Sequence, residues 1–171
     1  MFLTNKDFYS SPLDSFGEVK TVSHSKITQS QRETPDFNPL ILIVEDDADT
    51  RLMLKYLLEI WNYRVIAAVS GEEALKMTAI HKPDVILMDY KLPNMNGLMA
   101  TERIRQSPTT AEPVIIFLSA FADGEIRDSA IAAGASEYLI KPINFGELEL
   151  ALEKHLKINK VNQTQTLRRA I

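Results

Sequence analysis

The sequence predicts an α/β fold: a five-stranded parallel sheet, doubly wound, with helices on both faces. Three observations carry it. Short apolar runs occur five times, helical stretches alternate with them, and several of the runs are apolar at consecutive positions rather than at every second one. A strand apolar on both sides must be covered on both sides, as in parallel sheets flanked by helices.

The elements follow in order. "LILIV" (40–44) reads as a buried strand, and "DTRLMLKYLLEIW" (49–61) as a helix with Met53, Tyr56, Leu57 and Ile60 on its apolar face. "RVIAAV" (64–69) is the second strand, and Ser70 opens the next helix as a capping box with Glu73. "DVILMD" (84–89) is the third strand. Pro93, Asn94, Asn96 and Gly97 then break the chain into a tight connection before a helix through "LMATERIRQ" (98–106). "PVIIFL" (113–118) is the fourth strand, followed by a helix near "GEIRDSAIAAG" that Gly134 ends. "EYLI" (137–140) is the fifth. Asn144 and Glu147 form a second capping box, opening a helix with Leu148, Leu152 and Leu156 in register.

The regular pattern spans residues 39–158 of the 171, and 45% hydrophobic residues suit one compact domain. Residues 1–38 read as a flexible polar extension in which Phe2, Phe8, Tyr9 and Phe16 are scattered, and residues 159–171 as a polar tail. A net charge of -4 gives no basic surface for nucleic acid, and zero cysteines exclude disulfides and thiolate metal sites. No apolar run is long enough to span a bilayer, and the N-terminus lacks the apolar core of a secretory signal. A soluble, cytoplasmic protein is the expectation.

Open parallel sheets carry their chemistry at the carboxyl ends of the strands. Glu45, Asp46 and Asp47 stand after the first strand, Asp89 at the end of the third, Ser119 after the fourth and Lys141 after the fifth. Taken singly, most have ordinary readings: Asp47 as a helix N-cap, Glu45 and Asp46 as solvated loop carboxylates, Lys141 as a surface lysine. Gathered at one edge, they make an acidic pocket with one hydroxyl and one ammonium. Clustered carboxylates must take up protons or bind a cation. Oxygen donors without nearby His or Cys favour Mg²⁺. Lys141 supplies a point charge for a phosphoryl group, Ser119 can donate a hydrogen bond to it, and Asp89 is the carboxylate placed to attack and form an aspartyl phosphate.

"ILIVEDDADTR", "PDVILMDYKLPNMNG", "VIIFLSA" and "GASEYLIKP" together resemble the receiver domain of two-component response regulators over roughly residues 40 to 158. The resemblance implies a flavodoxin-like sheet of strand order 2-1-3-4-5. It further implies that Asp89 is phosphorylated, that Asp46 binds Mg²⁺ directly and Glu45 through water, and that the Lys91 backbone carbonyl completes the set. Lys141 would pair with the phosphoryl group and precede a cis bond to Pro142. Ser119 and Tyr138 would form a switch, Tyr138 turning into room vacated as the phosphoryl group draws the Ser119 hydroxyl. The donor implied is a sensor histidine kinase or a histidine phosphotransfer protein. The chain would catalyse only its own phosphorylation and dephosphorylation. With no output domain expected, it would act on a downstream protein by contact or serve as a phosphorelay intermediate.

Two side chains tune this expectation. Lys91 and Phe121, each two residues beyond a site residue, should border the path of attacking water, and the bulk of Phe121 should slow hydrolysis. Ser119 stands where threonine is frequent in the family. Rival readings fit less well. A haloacid-dehalogenase-type phosphatase needs an aspartate where Lys91 stands, and the acidic "EDDADT" loop would repel the phosphate of a flavodoxin. A receiver-like module that is never phosphorylated is disfavoured by the intact acidic pair, Asp89 and Lys141. His24, His81 and His155 read as surface residues outside the pocket.

Overall fold

A computed structural model describes residues 38–107 and 112–156. The strands are β1 (Leu40–Val44), β2 (Arg64–Ala68), β3 (Val85–Asp89), β4 (Val114–Ser119) and β5 (Glu137–Ile140). Between and after them lie α1 (Ala48–Ile60), α2 (Gly71–His81), α3 (Gly97–Gln106), α4 (Gly124–Ala132) and α5 (residues 145–156). All pairings are parallel in the order β2-β1-β3-β4-β5. This is the expected doubly wound, flavodoxin-like sheet. Residues 1–37 and 157–171, which include His24 and the aromatics of the N-terminal stretch, lie outside the described residues. Among the described residues no helix is long and apolar enough to cross a membrane.

Successive strand residues point to opposite faces, so each apolar run feeds two cores. Ile41, Ile43, Val85, Leu87, Ile116 and Leu118 meet Leu54 and Leu58 of α1 and Leu148 and Leu152 of α5. Leu42, Val44, Ile86, Met88, Ile115 and Phe117 meet Ala74, Ala100, Ile104 and Ala130 from the other three helices. The three central strands are buried throughout.

Helix α1 buries a different face from the one its periodicity predicts. Leu54 and Leu58 are fully buried, whereas Met53, Tyr56 and Ile60 are 41%, 59% and 80% exposed. Only Leu57 of the expected set packs against the core, with Trp61. The helix is apolar on more than one side, so two faces about 100° apart fit its spacing equally well. Contact with the sheet selects one of them.

Local signals fare better. Asp47 caps α1, its Oδ1 accepting from the Thr50 N–H at 2.8 Å. Ser70 Oγ accepts from the Glu73 N–H at 3.2 Å, while Glu73 reaches back to the Val69 N–H at 2.8 Å. That second bond takes Val69 out of the strand, which ends at Ala68. Asn144 Oδ1 accepts from the Gly146 and Glu147 N–H groups at 2.9 and 3.3 Å. Gly134 follows α4 at φ +107°, a left-handed conformation that suits glycine. Strand β4 begins after Pro113, which has no N–H for the ladder, and runs one residue further than expected, to Ser119.

Candidate functional site

Four strands deliver the pocket. Register pairs Val44 with Met88, Asp89 with Leu118, and Ser119 with Ile140, so the ends of β1, β3, β4 and β5 lie side by side. Asp89 is the last residue of β3 and is 5% exposed. Just past it the Tyr90 N–H donates to Leu118 O and the Gly97 N–H to Tyr90 O, both at 3.0 Å, closing the connection tightly. A Cβ at Gly97 would collide with the Asp89 carbonyl oxygen, so a glycine is needed there for space.

Lys141, one residue beyond β5, reaches back across the sheet edge. Its Nζ lies 2.7 Å from Glu45 Oε2 and 3.0 Å from Asp89 Oδ1. Its peptide bond to Pro142 is cis. Glu45, Asp46 and Asp89 each offer a carboxylate oxygen, all within 4.8 Å of one another. Glu45 is buried at 2% exposure and Asp46 is exposed, so one carboxylate of the pair is enclosed and the other faces solvent.

Burial pushes the Glu45 and Asp89 carboxyls up, against the lowering effect of Lys141. Burial also tends to depress Lys141, but its hydrogen bonds to Glu45 and Asp89 outweigh that and hold its ammonium above the usual range. Formally, three carboxylates and one ammonium leave two negative charges, which one divalent cation neutralises. An oxygen-only donor set with this charge fits a hard cation such as Mg²⁺.

A cavity of about 360 Å³ opens over Asp89, lined also by Asp46, Lys91, Ser119 and Lys141, with Tyr90, Ala120 and Phe121. Every site residue expected from the sequence therefore stands at this one edge except Tyr138, which lies behind it. Ser119 is fully buried and its Oγ accepts from the Phe121 N–H at 3.1 Å. The Tyr138 ring is 7% exposed, stacked on Phe117 with centroids 6.4 Å apart, and its hydroxyl donates to Phe121 O at 2.7 Å. Asp47 faces away into its cap, as expected.

Two contributors were missed. Arg51 Nη1 donates to the backbone carbonyls of Glu45 and Asp46, at 2.9 and 3.1 Å, tying the acidic turn to the first turns of α1. Its distance along the helix was the available signal. Tyr90 packs edge-on against Phe121, with centroids 5.7 Å apart and planes at 80°. It lies just beyond the strand, where alternation no longer tells which way a side chain turns. His155 is a correction of a different kind. It is outside the pocket, but it is half-buried and sits 3.3 Å from Glu137 Oε2, which Lys154 also pairs at 2.7 Å. His81 is exposed.

A buried carboxylate held by a lysine at the carboxyl edge of such a sheet defines a class: doubly wound proteins with an acidic pocket whose oxygen donors fit a divalent cation. The comparisons narrow the class. Residues 41–153 match the response regulator receiver domain, and the chain belongs to that family, the phosphoacceptors of two-component signalling. It is 35% identical over 123 residues to the regulatory protein AtoC of Escherichia coli K12, covering 72% of this chain and 26% of AtoC. It is 32% identical over 131 residues to the phosphate regulon transcriptional regulatory protein PhoB of Rhizobium meliloti, covering 77% of this chain and 58% of PhoB. The chain thus spans about a quarter of one relative and little more than half of the other. Among solved structures, the receiver domain of the sensor histidine kinase PA1611 from Pseudomonas aeruginosa PAO1 has a magnesium ion coordinated in its active site cleft. It matches with a TM-score of 0.65 and 32% identity, covering 70% of this chain and 98% of that one. A response regulator structure from Chloroflexus aurantiacus matches with a TM-score of 0.67 and 35% identity, covering 70% and 98% respectively.

Proposed function

We propose that Asp89 is the phosphoacceptor of this receiver, taking a phosphoryl group from a phosphohistidine donor in a Mg²⁺-dependent reaction. The observation that carries the reading is the Asp89 carboxylate itself, enclosed at a strand end and 3.0 Å from Lys141 Nζ beside two further carboxylates. An Asp89 oxygen bonds to phosphorus as the P–N bond breaks, and the electron pair leaves with the imidazole. The rigid strand end presents the nucleophile with little reorganisation. Lys141 favours the ionised, nucleophilic form of Asp89 and then pairs with a phosphoryl oxygen. Asp46, Asp89, the Lys91 carbonyl and, through water, Glu45 would hold the cation, which supplies charge neutralisation for the incoming group. Beyond its own phosphorylation and dephosphorylation the chain needs no enzymatic activity.

Ser119 accepts from Phe121, which leaves its own hydroxyl hydrogen to donate to the phosphoryl group. Tyr138 is already turned inward in this structure. The Ser119/Tyr138 switch is then a shift in how strongly the inward packing is held, rather than the opening of room for it. The donor, a sensor histidine kinase or histidine phosphotransfer protein, has an apolar approach to the site. Met53 is exposed on α1 and lines a groove of about 380 Å³ with Thr50, Pro142, Ile143, Phe145 and Lys141, while Tyr56 and Ile60 are exposed further along the helix. The same reading sets the chain in the cytoplasm and has it signal by protein–protein contact or as a phosphorelay intermediate.

The test is intact mass after incubation with a small-molecule phosphodonor and Mg²⁺. One added phosphoryl group is expected on the native chain and none on Asp89→Asn or in chelator. An unmodified native chain, or equal labelling of Asp89→Asn, overturns the reading. Arg51 gives a second expected result. Arg51→Met frees the carbonyls of the acidic turn and should weaken Mg²⁺ binding about tenfold, as loss of an outer-shell partner does. Thermal unfolding over a Mg²⁺ titration reads this directly, because a cation that binds only the folded chain raises the midpoint.

A further inference from the structure

Phe121 is held at three points by three different strands or strand ends. Its N–H donates to Ser119 Oγ at 3.1 Å from β4, its carbonyl accepts from Tyr138 Oη at 2.7 Å from β5, and its ring meets Tyr90 just beyond β3 at 5.7 Å. Phe121 and Tyr90 both line the cavity over Asp89. Phe121 remains 44% exposed, so its ring is not spent on the core. Edge-to-face pairs of this geometry have a preferred arrangement, so Tyr90 restricts where the Phe121 ring can lie.

We propose that Tyr90 is a positioning residue for the lifetime of the phosphorylated state. It sets Phe121 as a shield at the cavity, and the Tyr138 hydroxyl clamps the same shield from behind. The inference rests on the reading of Asp89 as phosphoacceptor. Loss of the phosphoryl group is hydrolysis. A water oxygen bonds to phosphorus opposite the Asp89 oxygen, the bond between that oxygen and phosphorus breaks with its electron pair returning to the carboxylate, and the water proton leaves with inorganic phosphate. This path needs an open lane for water in line with the breaking bond. A ring fixed beside the lane narrows it, and a ring free to swing does not. Because Tyr138 and Tyr90 act on one residue, the inward position of Tyr138 and the survival of the phosphoryl group are coupled. Whatever holds Tyr138 inward also holds the Phe121 carbonyl, and so slows hydrolysis of the phosphoryl group.

The experiment phosphorylates the native chain, Tyr90→Leu, Tyr138→Phe and the double variant with a small-molecule phosphodonor and Mg²⁺. Donor is then removed and intact mass followed over time. Tyr90→Leu keeps apolar bulk but loses the ring, and should shorten the half-life between about twofold and tenfold. Tyr138→Phe keeps the ring but loses the hydroxyl, and should shorten it about fivefold. The double variant should decay little faster than the faster single variant, and Tyr90→Phe should restore the native half-life. Thermal unfolding of each variant establishes that it is folded. A phosphorylated Tyr90→Leu that decays at the native rate overturns the inference and leaves the phosphoacceptor reading standing. So do single effects that multiply in the double variant, or a Tyr90→Phe chain that behaves like Tyr90→Leu. A native chain that takes no phosphate overturns the phosphoacceptor reading, and this inference with it.

Discussion

Lys141→Met is expected to destabilise the fold by about 3 kcal/mol near neutral pH in the absence of Mg²⁺, and to lose much of that deficit in mild acid. The lysine stands between Glu45, with its side chain 2% exposed, and Asp89, at 7%. Removing it leaves enclosed carboxylates without their counter-charge. Breaking such a pair costs several kcal/mol when it is fully buried, and the 23% exposure of the Lys141 side chain puts the effect at the lower end. The pH dependence follows from the direction of the shifts. Burial already raises the Glu45 and Asp89 carboxyls, and losing Lys141 removes the interactions that lower them. A carboxyl whose folded value lies above its unfolded value favours folding below the unfolded value, and that contribution is lost as pH rises through the folded value. The variant is therefore weakest relative to the native chain at neutral pH, and the gap narrows as both carboxyls protonate. Urea unfolding of both chains at about pH 7 and about pH 5 measures it. An equal deficit at the two pH values would mean that the lysine acts through packing of its methylene stem instead.

Gly97→Ala should cost about 2 to 3 kcal/mol and slow phosphoryl uptake at the same time. The backbone of Gly97 is not in the left-handed region that favours glycine, so the requirement is one of space. A Cβ there meets the Asp89 carbonyl oxygen and lies 3.0 Å from Met88 Cγ and 3.1 Å from the Asp89 carbonyl carbon. Two of these three atoms belong to the main chain of Asp89, the proposed phosphoacceptor, so relief of the clash must move α3 or the end of β3. A shift of even 1 Å at a reacting group costs on the order of a hundredfold in rate. Gly124→Ala is the matched control, because a Cβ at that helix start has nothing within 4 Å. The comparison is made by thermal unfolding and by the initial rate of labelling from a small phosphodonor. Matching behaviour of the two variants would show that the Gly97 contact yields easily.

Some of this molecule was legible one residue at a time. The run "VILMD" announced a strand buried on both sides and ending in a carboxylate, because a solvent-facing side would have required polar residues at alternate positions. Asp47, Ser70 and Asn144 announced helix starts, because an N-cap bond spans only two or three residues of chain. Five such strands with intervening helices leave few arrangements, and in a parallel sheet the strand ends must gather at one edge. The placing of Asp89, Ser119, Lys141 and the acidic turn together follows from that order, and the motif resemblance named the chemistry.

Other features depend on contacts between elements far apart in sequence. Periodicity pointed to the wrong face of α1, since its apolar residues cover more than one side, and docking on the sheet buried Leu54 and Leu58 rather than Met53, Tyr56 and Ile60. Tyr138 could have stood outward as a half-exposed strand aromatic, but Phe117 and the Phe121 carbonyl hold it inward. Tyr90 and Phe121 are 31 positions apart and meet only because β3 and β4 are neighbours. Gly97 looked like a turn residue until the Asp89 carbonyl was seen in the space a side chain would fill. Periodicity and capping are energies of neighbouring residues and are written in the sequence itself. Which of two apolar faces is covered, which way a ring turns, and how closely two backbones approach are decided by packing, which exists only once the sheet has brought its strands together.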